Sequence, residues 1–138
     1  MKKRSKIIAL SAIGAMVIAI VIIGLVYAGT RKLNLPTSVV KMAIRNGNTG
    51  EVILITDQRV LEKTVSEINA MELKRMGRER FTSTGWSCAV NLYYSDEEKP
   101  SYSLMLRKDT ISTGKYIYGE DARIEELRNE LLEFMTKQ

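Results

Sequence analysis

Residues 7–28 form one apolar run without a charged side chain, and Lys2, Lys3, Arg4 and Lys6 stand directly in front of it. A helix of these 22 residues is roughly 33 Å long at 1.5 Å per residue, which matches a hydrocarbon layer about 30 Å thick. The run is expected to be a transmembrane helix in contact with lipid. Residues 1–6 then form a basic cytoplasmic segment.

The side with more Lys and Arg is retained in the cytoplasm. Four basic side chains precede the run, and Arg31 and Lys32 follow it. The rest of the chain is therefore expected outside the cytoplasm on a single-pass signal anchor. A secretory signal has the same order of basic, apolar and small residues, and Val26-Tyr27-Ala28 would serve as its cleavage site, leaving a secreted chain. Signal apolar regions run about 7 to 15 residues, so the length favours the anchor. With no cysteine near the end of the run, a lipid-modified terminus is excluded.

The net charge of +5 suggests nucleic acid or acidic lipid until its placement is considered. Six of the 21 Lys and Arg residues lie before Leu33, where no acidic residue occurs, which leaves 15 against 16 acidic residues and a net charge of −1. The high pI is thus a topogenic signal, and no nucleic-acid partner is expected. A local basic run, Lys74, Arg75, Arg78 and Arg80, is interrupted by Met76, Gly77 and Glu79 and reads as a solvated strand end.

After a short tether over residues 29–37, containing Pro36, about 100 residues remain, enough for one core and one domain over 38–138. Cys88 is the single cysteine, so this core has no internal disulfide. In the run 86–94, Trp86, Cys88, Val90, Leu92 and Tyr94 share a face by the two-residue period of a strand, which makes Cys88 a small buried hydrophobe. Strands are also predicted over 39–45 and 52–55, joined by an Asn-Gly-rich hairpin at 46–50, and over 72–76. Another, with Tyr102, Leu104 and Leu106 on one face, follows a polar turn at 95–100. A turn at Thr113-Gly114 brings Ile111 back onto the strand 116–118. Residues 77–85 read as irregular. Asp57 caps a helix that places Leu61, Val65 and Ile68 on one side and ends near Ala70. A second helix from Asp121 buries Ile124, Leu127, Leu131 and Phe134. The expected class is α+β: an antiparallel sheet with two helices packed on one face. A coiled coil for the last helix is a weak rival, since only about two heptads fit.

Chemistry is sparse. The absence of histidine removes the commonest general base and metal ligand, and one cysteine leaves zinc and copper few ligands. No catalytic, cofactor-binding or metal-binding residue is assigned, and no cofactor is expected. The acidic clusters Asp96-Glu97-Glu98 and Glu120-Asp121 read as a turn and a helix start, not as calcium sites. Ser112-Thr113-Gly114-Lys115 matches Ser-x-x-Lys, which supplies nucleophile and base in penicillin-binding enzymes. It lacks the partner motifs and a helix start, so it reads as a turn. Nor is Gly114-Lys115 a phosphate loop, with Tyr116 in place of Ser or Thr and Asp109 in place of the first Gly. Within the span, Ser11, Ala15 and Ala19 recur every fourth residue, as do Gly24 and Ala28. This spacing lets another helix approach, though a plain anchor carries it as readily.

The order of anchor, Leu33-Asn34-Leu35-Pro36, Ile44-Arg45-Asn46-Gly47-Asn48, Ile55-Thr56-Asp57, Thr84-Gly85-Trp86 and Gly114-Lys115-Tyr116-Ile117-Tyr118 resembles small membrane-anchored or secreted proteins of Gram-positive bacteria that share an extracytoplasmic domain of unknown function. The resemblance covers most of 33–136. It implies an anchored or secreted location and no catalytic residues. Two functions are open: a non-enzymatic binding or regulatory module meeting a protein partner at the cell envelope, and a cell-envelope hydrolase using paired carboxylates. The first would use a sheet face free of helices, with Asn91, Tyr93, Ser103 and Met105 pointing outward.

Overall fold

Alternation builds the sheet, and the computed structural model of the chain, which describes residues 2–78 and 85–138, shows where each alternate side chain goes. The apolar run is helix α1 (Lys2–Ala28), and its Lys6–Val26 stretch is long and apolar enough to cross a membrane. No part of that stretch is buried against the domain. Then follow β1 (Thr30–Arg31), β2 (Lys41–Asn46), β3 (Val52–Ile55), α2 (Gln58–Ala70) and β4 (Leu73–Arg78). The second half holds β5 (Cys88–Tyr93), β6 (Tyr102–Leu106), β7 (Thr110–Ser112), β8 (Tyr116–Gly119) and α3 (Arg123–Thr136). The eight strands form one antiparallel sheet in the order β1-β4-β8-β7-β6-β5-β2-β3.

The expected α+β class holds, with both helices on one side of the sheet. Register sets Met42 opposite Leu92, Ile44 opposite Val90, Val90 opposite Leu104, and Cys88 opposite Leu106, which faces Ile111. All of these side chains are buried in one cluster with Leu61, Val65 and Ile68 of α2 and Ile124, Leu127, Leu131 and Met135 of α3. Fully burying an aliphatic side chain contributes about 1.5–3 kcal/mol, so a core of this size stabilises the domain without a disulfide. The side chain expected at the last position, Phe134, is only partly buried. Met135 takes that place because the step from Leu131 is four residues.

Helix α2 starts and stops where the sequence indicates: Asp57 Oδ1 accepts a hydrogen bond from Arg59 N at 2.9 Å, and the helix ends at Ala70. The hairpin is held by Asn46, whose Oδ1 accepts from Asn48 N at 2.9 Å, with Gly50 at φ 74. Gly114, at φ 82, turns β7 into β8. Strand β4 runs two residues beyond the expected Met76, through Gly77 and Arg78, with a bulge between Arg75 and Gly77. The rest of the stretch expected to be irregular lies mostly outside the described residues.

Residues 29–37, expected as a tether, are bound into the domain. Thr30 and Arg31 pair with Lys74 and Leu73 at the sheet edge. Leu35 is buried, and its backbone makes two hydrogen bonds with the Asn69 side chain, 2.7 Å to Oδ1 and 2.8 Å from Nδ2. The Tyr94 hydroxyl donates to the Pro36 carbonyl at 2.8 Å. The backbone polar groups of this segment are met by a strand edge and one side-chain amide.

Asp121 fastens α3 to the sheet. Its carboxylate accepts from the Arg123 guanidinium at 2.6 and 2.9 Å, from Arg123 N at 3.0 Å and from Glu72 N, just before β4, at 2.8 Å. The hydrogen bond from the Arg123 side chain, with the two backbone donors, holds its carboxyl down to about 2. A depressed carboxyl pKa gives stability that is complete above the unfolded-state value and is lost as pH falls through the folded one. Asp121→Asn is therefore expected to cost about 1–2 kcal/mol at neutral pH. Denaturant unfolding between about pH 5 and pH 2 should show a shallower loss of stability for the variant than for the parent chain. At the other end of the sheet, a methyl group on Gly47 would lie 2.9 Å from Cε3 of Trp86 and against its carbonyl oxygen. Gly47→Ala should destabilise by about 1–3 kcal/mol in the same assay.

Candidate functional site

The residues that sequence patterns marked for chemistry do not converge. Cys88 sits in the core, and burial pushes its thiol up to about 12, outweighing the charge of Arg128 on α3. Ser112 is buried in β7 while Lys115 is exposed beyond the turn, where Gly114 N donates to Ser112 Oγ at 3.2 Å. Ser-x-x-Lys therefore spans a hairpin and not a helix start. Asp96, Glu97 and Glu98 are exposed in the β5–β6 turn, and Glu120 pairs with Lys74 at 3.4 Å. Among the described residues, no group of three His, Cys, Asp or Glu side chains could hold a metal ion.

Carboxylates come together in more than one groove: Asp109, Glu120 and Asp121 beside Met76, Glu130 and Glu133 at the end of α3, and a third set between the two helices. A groove of about 240 Å³ between α2 and α3 is lined by Glu67, Glu126, Glu130, Arg123, Met71 and Leu127, among others. Lys63 bonds Glu130 across the groove and Glu67 at 3.5 Å along its own helix. Both carboxylates keep a third or more of their surface in water, so the groove works as an interhelix ion-pair seam.

The second surface is the sheet face turned away from the helices, at its β3–β2–β5 end. Here Leu54 faces Ala43, which faces Asn91, and Val52 faces Arg45, which faces Ala89. Val52 and Leu54 are 58% and 63% exposed, while Ile53 and Ile55 turn inward. Lys41 lies over the Tyr93 ring at 4.8 Å and Arg45 over Trp86 at 6.0 Å. Of the residues expected to face outward, Asn91 and Ser103 share one register row, Tyr93 pairs with Lys41, and Met105 pairs with Ala89. All four lie opposite the core. Sequence reading missed Val52 and Leu54; the signal was the four-residue apolar strand itself, whose alternate members must point to opposite faces.

In α1, the Ser11 hydroxyl donates to the Ile8 carbonyl at 2.9 Å, so its polar group is satisfied within the helix. Among the described residues, no other helix packs on the small residues of α1.

The state of Cys88 is open to a direct test. At pH 8, alkylation of the native chain should run roughly a hundred- to a thousandfold slower than in denaturant. Equal rates would mean an accessible thiol and a misplaced β5.

No protein-family model, no curated protein and no solved structure matches this chain.

Proposed function

We propose that this chain is a non-enzymatic binding or regulatory module, held at a membrane by its N-terminal helix with the α+β domain outside the cytoplasm. The observation that carries the reading is the apolar patch of Val52 and Leu54 on β3, exposed beside the cation–aromatic pairs of Lys41 with Tyr93 and Arg45 with Trp86. Aromatic and Arg side chains around an apolar centre are what protein interfaces enrich. Anchorage raises the local concentration of such a patch for a protein partner in the same membrane. The excess of basic residues before the span supports the outside placement, and the resemblance to small anchored Gram-positive proteins points the same way.

The alternative is an envelope hydrolase built on the carboxylates of the α2–α3 groove. A general acid needs a desolvated carboxyl. Glu67 and Glu130 are instead shared by one lysine and well exposed, which favours the binding reading.

In intact membranes, cross-linking followed by affinity capture should recover a protein partner with the parent chain. Leu54→Asp should recover at least tenfold less, because a charge would be buried at the centre of the contact. Capture that is indifferent to Leu54→Asp and to Tyr93→Ala sinks the patch. Orientation is read separately: a tag after Gln138 should be cut by protease added to sealed cells.

A further inference from the structure

We propose that the β1–β4–β8 edge, carrying Arg31, Lys32, Arg75, Arg78 and Lys115 beside Tyr116, is a lipid-docking surface that lies along the bilayer and binds anionic headgroups. The inference rests on α1 being a membrane anchor. One residue, Gly29, separates the end of α1 from the first paired residue of the sheet, and the Arg31 guanidinium reaches back to the Val26 carbonyl at 3.5 Å. A bilayer about 40–45 Å thick with a hydrocarbon core about 30 Å thick leaves a headgroup layer of roughly 5–8 Å on each side, and Thr30 falls within it.

The direction of β4 then fixes how the domain sits. Strand β1 runs away from the span, and β4 is antiparallel to it, so the residues after Lys74 run back toward the membrane. Four residues from Arg75 to Arg78 cover about 13 Å. With the strands standing upright, Arg75 and Arg78 would enter the hydrocarbon, where charged side chains are strongly disfavoured. The edge must therefore lie along the surface, with those side chains among the headgroups.

The composition of the edge suits that layer. Among the described residues, Lys74 is neutralised by Glu120, whereas Arg31, Lys32, Arg75, Arg78 and Lys115 have no acidic partner. The Arg75 guanidinium stacks 3.5 Å from the centre of the Tyr116 ring, with Lys115 on the same ring at 5.5 Å. Tyr residues favour the headgroup level. Met76, 58% exposed, lies on the same strand but beside Asp109, Glu120 and Asp121, so the headgroup contact is made by the cationic side chains and not by this residue. Anionic headgroups supply the missing counter-charge, each cation near such a surface raising affinity by about fivefold.

The test uses residues 29–138, which contain every residue of the core cluster and therefore fold without α1. This domain should co-sediment with vesicles of phosphatidylglycerol and phosphatidylcholine, and not with phosphatidylcholine alone. Binding should be lost near about 0.5 M salt. Arg78→Gln with Lys115→Gln, both exposed positions, should reduce affinity at least tenfold with an unchanged thermal midpoint. Adding Arg75→Gln should remove binding to vesicles. Equal binding to both vesicle types, full binding by the double variant, or capture of duplex DNA in place of vesicles would each overturn the proposal. Alkaline carbonate extraction of the full chain from membranes reports on the anchor alone, so loss of that reading is distinguishable from loss of this one.

Discussion

The register rows Met42–Leu92, Ile44–Val90–Leu104 and Cys88–Leu106–Ile111 put the apolar side chains of successive strands on one side of the sheet, and the rest of the domain answers to that one-sided burial. A sheet apolar on one face must be covered, and α2 and α3 are the cover. Slipping any strand by one residue would turn its buried set to the other face, so each row specifies its neighbours. With no disulfide, this mutual specification is what makes the architecture unique. The polar fastenings act at its margins: Asp121 ties α3 to the start of β4, and Asn69 ties the segment after the span to α2.

The same alternation creates the outward surface. Once Ile53 and Ile55 face the core, Val52 and Leu54 have nowhere to go but the other side, and β3 is an edge strand with no further neighbour in the sheet order. Edge strands in water are usually short or charged. This one is short but apolar, an arrangement that is costly for a domain alone and useful for one with a partner.

Much of this was legible because local chemistry and tertiary packing agree. The strand centred on 88–93, the Asp57 cap, the Asn46 hairpin and the Gly114 turn each carry their signal within a few residues, whereas Trp86, expected on the buried face, precedes β5 and lies under Arg45. What stayed hidden was non-local. Thr30 and Arg31 have no strand pattern of their own and become β1 only because β4 lies beside them. Leu35 is buried through a residue 34 positions away. Met135 and not Phe134 is buried because α3 keeps the four-residue step from Leu127 through Leu131, one of two helical steps that the sequence allows. The basic run around Lys74 reads as a solvated strand end in isolation; the sheet brings it beside Arg31, and next to Lys32, while Glu120 neutralises Lys74 itself. A chain without histidine offers few residue patterns from which chemistry is read.

Sheet order links the two surfaces. Strands β1 and β3 occupy opposite edges, seven spacings apart, and at about 4.8 Å each they are separated by roughly 34 Å before twist is counted. With β1 joined to α1 through Gly29, the apolar patch on β3 lies at the opposite edge of the sheet, and a membrane around α1 would leave it clear of lipid. A long flexible tether would let the patch sample every height and orientation. The proposed docking of the edge would instead present it at one height, so that the ordering cost of meeting the proposed membrane-bound partner would be met in advance by the fold.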